Sequence, residues 1–409
     1  AQYTPPAKSI NNVHIYVNTN YDSDYIRDIM LRLSPKAYKK SCAICKNEKL
    51  LSSVLSVCRD CIINRFEDAK DYIINAHRKV RARYLLPYPA PSDGNIICSL
   101  CSNNCKMKNG DISFCGLRWV EENKLRSYVS PNQALAYVYL DPHITNCCAA
   151  WFCPAGTGLG YPEYSVTKGP EYGYSNLAVF FYGCNFNCLF CQNWEHKDVS
   201  GAPVVQTEDL VQAVIKNDKI TCICYFGGSP EPHAPFFLKV NEELLERKGK
   251  RIVRICYEWN GAGNSTIVRK AAESALLTGG VIKFDLKAPP GSPLSMALSG
   301  VDNKRVYENF EMVYREFWSE AKIPILTATT LLVPGYIMPE DVEEIAQFIA
   351  SLNPEIPYSI LVFHPDGAMT DLPITPRQIA EESERRARKY LKHVNVGNKF
   401  LLTMAPDRI

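Results

Sequence analysis

The chain has 409 residues, 46% hydrophobic and 22% charged, with a formal net charge of +3. That length holds two or three domains, or one large α/β domain with appendages. The small charge gives no argument for a nucleic-acid stripe or an anionic membrane surface. No apolar run reaches a membrane span, and the first twenty residues lack the apolar core of a signal peptide, so the expected location is the cytoplasm.

Seventeen cysteines are the unusual number. Secreted disulfide scaffolds are generally much shorter, so metal-binding thiolates in a reducing, anaerobic cell are the better reading. Eleven of the seventeen precede residue 176, in segments that are short and broken by Pro, Asn and Gly. Three regions are expected: 1–85 with a pair of cysteine knuckles, 86–175 with a second cysteine-rich segment, and 176–409.

In chain order, Cys42-x2-Cys45 and Cys58-x2-Cys61 are two knuckles twelve residues apart. This four-thiolate pattern is of zinc-ribbon or rubredoxin type, for structural zinc or an electron-relaying iron. A helix is expected over Arg65–Tyr84. Cys98, Cys101, Cys105 and Cys115 form a second four-thiolate set for zinc, iron or an auxiliary cluster, with a structural role favoured. Cys147, Cys148 and Cys153 could complete another cluster or line a cleft, but buried thiols are the favoured reading. The aromatic stretch Tyr161–Tyr174 has no basic stripe and is expected to pack against the domain that follows.

From residue 176 the pattern alternates. Strand-like runs at Asn176–Tyr182, Ile220–Phe226, Arg251–Tyr257, Val281–Leu286, Ile323–Val333 and Tyr358–Phe363 are each followed by a helical pattern. The helices are expected near Glu208–Lys216, Pro235–Lys248, Ser265–Leu277, Lys304–Trp318, Pro339–Leu352 and Pro376–Leu391. Six β-then-α units predict a parallel sheet, which right-handed crossovers curl into a barrel. The fold class is α/β: a partial (β/α)6 TIM-type barrel behind a cysteine-rich, metal-stapled N-terminal region. Lys399–Thr403 is a candidate last strand, and Cys222, Cys224 and Cys256 fall on strands as core residues.

Polar motifs follow the strand ends, where active sites of such folds lie. Cys184, Cys188 and Cys191 come first, spaced Cys-x3-Cys-x2-Cys. A [4Fe–4S] cluster takes four thiolates, so three on one loop leave an iron open to a small molecule. A zinc knuckle completed by His196 is the alternative. Gly227, Gly228, Ser229, Pro230 and Glu231 form a bent loop that a ligand can approach closely. Glu258 and Asn260 follow the third strand, and Asp285 and Lys287 end the fourth. Leu331 and Val333 close the fifth and His364 the sixth.

These motifs resemble, in order, those of the radical SAM superfamily, in particular the glycyl-radical (pyruvate formate-lyase type) activating enzymes. CNFNCLFC is similar to the family's cluster loop, which assigns Phe190 to the adenine of S-adenosylmethionine (SAM). GGSPE resembles the loop for the methionyl amino group. EWNG and DLK resemble motifs that would place a monovalent cation at Glu258 and Asp285 and the SAM carboxylate at Lys287. LLVPGY and FHPDG resemble the segments around the nucleoside, implicating Leu331, Val333 and His364. Thr329 stands where an arginine is usual, and Glu258 where an Asp is usual. The Cys98–Arg118 segment resembles the N-terminal part of the radical SAM member of the AmmeMemoRadiSam group, with Cys-Ser-Asn at Cys101–Asn103 for its usual Cys-Pro-Arg.

The resemblance implies a [4Fe–4S] enzyme that cleaves SAM reductively and abstracts hydrogen from a C–H bond. By analogy the substrate is a protein or peptide, and the electron donor a small flavodoxin- or ferredoxin-type protein. The alternatives are radical modification or methylation of a small molecule or RNA, and a non-catalytic iron–sulfur or zinc scaffold.

Overall fold

The computed structural model describes residues 38–145 and 147–406 in full, and the backbone of two short strands, Lys8–Ile10 and Val13–Val17. Apart from those strands, the first twenty residues lie outside the described part. Seven parallel strands form the barrel: β1 (Ser175–Phe181), β2 (Ile220–Gly227), β3 (Arg254–Trp259), β4 (Ile282–Asp285), β5 (Leu326–Leu332), β6 (Tyr358–Val362) and β7 (Val394–Gly397). They pair in sequence order. Six helices connect them: α1 (Thr207–Lys216), α2 (Ala234–Arg247), α3 (Ser265–Thr278), α4 (Lys304–Phe317), α5 (Pro339–Leu352) and α6 (Arg377–Ala387). The fold is a partial (β/α)6 barrel. An antiparallel strand, Gln133–Pro142, extends the sheet beyond β1, and among the described residues nothing pairs it with β7, so the barrel stays open.

Strand alternation sorts the side chains. On β1, Leu177, Val179 and Phe181 are buried toward the helices, and Phe181 meets Phe236 of α2 edge-on at 6.2 Å. Asn176, Ala178 and Phe180 take the opposite, inner face. On β4, Ile282 and Phe284 are in the outer phase and Lys283 and Asp285 in the inner one. Helix ends carry local stop signals. Asn264 caps α3 by accepting from Thr266 N at 3.0 Å, and Gly279 ends it at φ 69°, where a Cβ would run into Tyr164.

Lys399–Thr403, a candidate strand by sequence, is a 3-10 turn. Asn398 adopts φ 57°, which reverses the chain after β7, so the last strand is Val394–Gly397 instead.

The cysteine-rich region buttresses the barrel. The expected helix spans Phe66–Ala82, and its His77 bonds Asn187 Nδ2 at 2.8 Å and the carbonyls of Met296 and Ala297. The knuckle pair clamps the late barrel loops. Tyr336 OH accepts from Ser52 N at 3.0 Å, Asp371 accepts from Ser52 and Ser53, and Arg59 forks onto Asp341 at 2.7 and 3.1 Å. The aromatic stretch packs across the N-terminal strand ends, where Glu171 holds Arg254 at 2.6 and 2.8 Å. No helix among the described residues is long and apolar enough to cross a membrane.

Candidate active site at the C-terminal strand ends

The loop after β1 holds its three cysteines rigidly. Gly183, at φ 77°, lets the chain turn tightly against the carbonyl of Cys115. Beyond it, Asn187 N donates to Ser299 O at 2.8 Å and Leu189 N to Leu298 O at 2.9 Å. Cys184, Cys188 and Cys191 then face one cavity of about 1160 Å³. Cys184 Sγ donates to Gly228 O at 3.0 Å and accepts from Asn260 Nδ2 at 3.3 Å; Cys188 Sγ lies 3.4 Å from Ser299 Oγ, and Cys191 Sγ 3.5 Å from His196 Nε2. Burial pushes the Cys191 thiol up to about 11 and raises that of Cys184 as well, so ionising either requires a strong positive charge beside it.

A single tetrahedral zinc needs sulfurs about 3.8 Å apart, from a Zn–S bond of about 2.3 Å. Among the described residues, only Cys42, Cys45, Cys58 and Cys61 bring all their ligand atoms within 4.8 Å of one another. Their Sγ separations of 3.8 and 3.9 Å are the edges of such a tetrahedron. Burial would raise the Cys42 thiol, but amides of Cys45, Cys58 and Ile44 turn toward it and bring it down to about 6, which favours the ligating thiolate. Cys184, Cys188, Cys191 and His196 do not converge in this way. Their wider spread suits a cluster with several irons rather than one ion. The fit is supported by polar atoms of the same loop, Asn185 Nδ2, Gln192 Nε2 and His196 Nδ1, which are buried without a protein partner.

Cys98, Cys101, Cys105 and Cys115 are not a tetrahedral set in this structure, since their sulfurs do not meet the 4.8 Å distance. Their hairpin packs under the cluster loop, with Asn103 Nδ2 donating to Asn185 O at 2.7 Å.

The cavity separates the sequence-predicted residues into two groups. Phe190, Gly227, Gly228, Glu258, Asn260, Asp285, Lys287, Leu331 and His364 line it. Ser229, Pro230, Glu231 and Val333 do not. Ser229 hydroxyl bonds Glu231, whose other oxygen accepts from Ala262 N at 3.0 Å, so this pair shapes the loop from behind. Burial raises the Glu231 carboxyl, as expected for an acid with only neutral donors around it. Val333 is fully buried.

Among the lining residues that the sequence did not single out is Lys283. Lys283 Nζ lies 2.9 Å from Glu258 Oε2 and 2.9 Å from Asp285 Oδ1, while Lys287 takes the other Asp285 oxygen at 2.8 Å. Burial would raise Asp285, but the two ammoniums hold it well below the usual carboxylate range. A lysine therefore stands between the carboxylates expected to hold a monovalent cation. Its signal was the shared strand phase of Lys283, Asp285 and Lys287. Cys147 and Cys148, expected as buried thiols, face the cavity: Cys147 donates to Glu258 Oε1, and Cys148 lies 3.4 Å from Thr329 Oγ1.

Several known proteins are similar. Residues 178–349 match the family model described as the radical SAM superfamily. An uncharacterized protein of Methanocaldococcus jannaschii is 25% identical over 325 residues, 76% of this chain and 84% of its own. A second uncharacterized protein of that organism is 33% identical over 70 residues, 15% of this chain and 21% of its own. A solved radical SAM methyltransferase from Sphaerobacter thermophilus aligns at TM-score 0.40 and 15% identity, over 55% of this chain and 66% of that one. With the match running from within β1 to α5 and the three cysteines at its head, the chain carries a radical SAM superfamily domain.

Proposed function

We propose that Cys184, Cys188 and Cys191 ligate a [4Fe–4S] cluster and that the adjoining cavity binds SAM for radical chemistry on a C–H bond. The observation that carries this is three thiols facing one cavity at the strand ends, Cys184 and Cys188 buried and Cys191 half-buried, with no fourth thiol on their loop. Held there, the cluster and SAM would supply one-electron reductive chemistry able to abstract hydrogen from a substrate C–H bond.

The chain's residues bind and orient. Gly228 offers bare backbone, since a Cβ there would lie 2.1 Å from Gly183 O. Lys287 provides a charge for the methionyl carboxylate, and Phe190, Leu331 and His364 provide the wall for the nucleoside. Asn260 fixes Cys184, and Ser229, Pro230 and Glu231 hold the glycine loop in shape. Lys283 takes the place of a monovalent cation beside Glu258 and Asp285. The Cys42–Cys61 set binds zinc or iron, and Cys98, Cys101, Cys105 and Cys115 buttress the cluster loop.

The motif order supports a place near the activating-enzyme branch, with electrons from a flavodoxin- or ferredoxin-type protein. The sheet does not close, and the cavity is lined by Tyr137 and Tyr139 on the antiparallel strand, which Val13–Val17 borders in turn, and by Asn395 and Gly397 on the edge strand β7. A lateral mouth of this kind supports a protein or peptide substrate. The test is electron paramagnetic resonance on anaerobically reconstituted, dithionite-reduced protein. A [4Fe–4S]⁺ signal that shifts on adding SAM is expected; a signal indifferent to SAM would count against the proposal.

A further inference from the structure

Four thiols, Cys98, Cys101, Cys105 and Cys115, converge beneath the cluster loop. Cys98 and Cys105 are direct partners across the hairpin of Ile96–Cys98 and Cys105–Met107, so their side chains leave it on one face. Cys101, in the connection between those strands, lies within electrostatic reach of the other three. Cys98, Cys105 and Cys115 are buried, Cys101 is half-buried, and all four are free thiols. Each sulfur has a donor beside it. Phe114 N donates to Cys105 Sγ at 3.3 Å, Ser113 Oγ lies 3.3 Å from Cys115 Sγ, and Asn103 Nδ2 lies 3.8 Å from Cys101 Sγ. The Leu100 amide turns toward Cys98.

Two buried guanidiniums flank this set. Arg81 is 1% exposed and Arg118 4%, and among the described residues neither has a carboxylate partner. Arg81 donates to the carbonyls of Pro87 and Phe114 and stands 3.8 Å over the Phe114 ring. Arg118 donates to Pro232 O at 2.8 Å, and its other terminal nitrogen lies 3.9 Å from Cys115 Sγ. Carbonyls and a ring face are dipoles, so a net positive charge stays buried, which is costly without a counter-charge. The buried Glu231 does not supply one, because Ser229 and Ala262 N take its oxygens. Apart from the Tyr88 phenol, the ionisable groups that favour the Arg81 charge are Cys184, Cys115 and Cys105, and Arg118 acts in turn on Cys98.

Four thiolates around a metal centre would carry the missing negative charge. A single zinc or iron would draw their sulfurs together as at the knuckles, where the separations are 3.8 and 3.9 Å. Yet no three of these four sulfurs come within 4.8 Å of one another. A centre with several irons spans a wider set, and donors and charges beside its sulfurs set its potential. We infer that Cys98, Cys101, Cys105 and Cys115 ligate a second iron–sulfur cluster, a one-electron centre for which Arg81 and Arg118 are the counter-charges. Asn103, which also donates to Asn185 O at 2.7 Å, ties this centre to the Cys184 loop. The site does not depend on the proposed radical function.

The test is acid-labile sulfide, with iron and zinc, in anaerobically reconstituted protein, because a single ion at the Cys42–Cys61 set holds no sulfide. The wild type is expected to carry more sulfide than one [4Fe–4S] cluster contains. A Cys184→Ala/Cys188→Ala/Cys191→Ala variant should keep sulfide, and should lose it when Cys105→Ser and Cys115→Ser are added. Wild-type sulfide matching one [4Fe–4S] cluster would overturn the inference, and that count decides alone if the triple variant does not fold. A triple variant folded by circular dichroism but free of sulfide, or a quintuple variant that still holds it, would overturn it too. Arg118→Met in the triple-variant background should make the cluster's midpoint potential more negative, since losing a nearby positive charge favours the oxidised state. An unchanged midpoint would remove Arg118 as a counter-charge. Sulfide in the triple variant, in a protein whose wild-type signal ignores SAM, would leave this site standing and remove the radical reading; a SAM-responsive wild type with no sulfide in the triple variant would do the reverse.

Discussion

Lys283 and Glu258 form an ion pair at 2.9 Å on the inner wall of the barrel, with side chains only 9% and 15% exposed. The same ammonium reaches Asp285. The chain thus carries its own positive charge where the resemblance implies a metal cation. Removing one partner of such a buried pair leaves the other charge uncompensated, at about 3–5 kcal/mol. Lys283→Met should therefore destabilise the protein by roughly that amount in urea denaturation. A variant within about 0.5 kcal/mol of the parent would show that the two acids need no partner there.

The Cys42–Cys61 tetrahedron couples metal to barrel. The segment between its two knuckles carries Ser52 and Ser53, which grip Asp371, and Ser52 N also bonds Tyr336. Cys61→Ser should lose one metal ion per chain and lower the melting temperature, while iron and sulfide at the Cys184 loop stay. Metal analysis of the two proteins checks this, and an unchanged metal count contradicts it.

Acid should act through Glu171. Burial would raise its carboxyl, but Arg254 holds it at about 2, against an ordinary 4.5. A depressed folded value contributes stability above the unfolded value, and loses it as pH falls through the folded one. The contribution is thus present above 4.5 and fades between 4.5 and about 2. Glu171→Gln should be less stable than the parent at pH 7, and the gap should narrow through that window. Denaturation midpoints measured between pH 7 and pH 2 read this directly; a constant gap would exclude the linkage.

Gly228→Ala should displace the loop that carries Cys184, because the new Cβ would overlap Gly183 O. Reduced iron incorporation with near-parental secondary structure by circular dichroism is expected. Full incorporation would mean that the backbone approach is not needed.

Much of this was legible in the sequence, because repeating β/α units state their own period. Strand phase also separates Ile282 and Phe284 from Lys283 and Asp285, so Lys283 was within reach. Loops have no period, which is why Ser229 and Glu231 could not be told from Gly227 and Gly228 as lining residues. Cys147, Cys148 and Asp141 come from outside the repeating units. Only the folding of Gln133–Pro142 beside β1, and of the next segment across the barrel, brings them to the cavity. The ambiguity at Lys399–Thr403 was local: an apolar run reads as strand until Asn398 turns the chain.

The three thiols and this cavity are proposed to hold a cluster and SAM for reductive cleavage. The most direct measurement is 5′-deoxyadenosine formed from SAM and dithionite under anaerobic conditions, by wild type and by Cys188→Ala. Product from the wild type and none above background from Cys188→Ala is predicted. No product from fully reconstituted wild type, or equal product from both, would rule out reductive cleavage of SAM at this site.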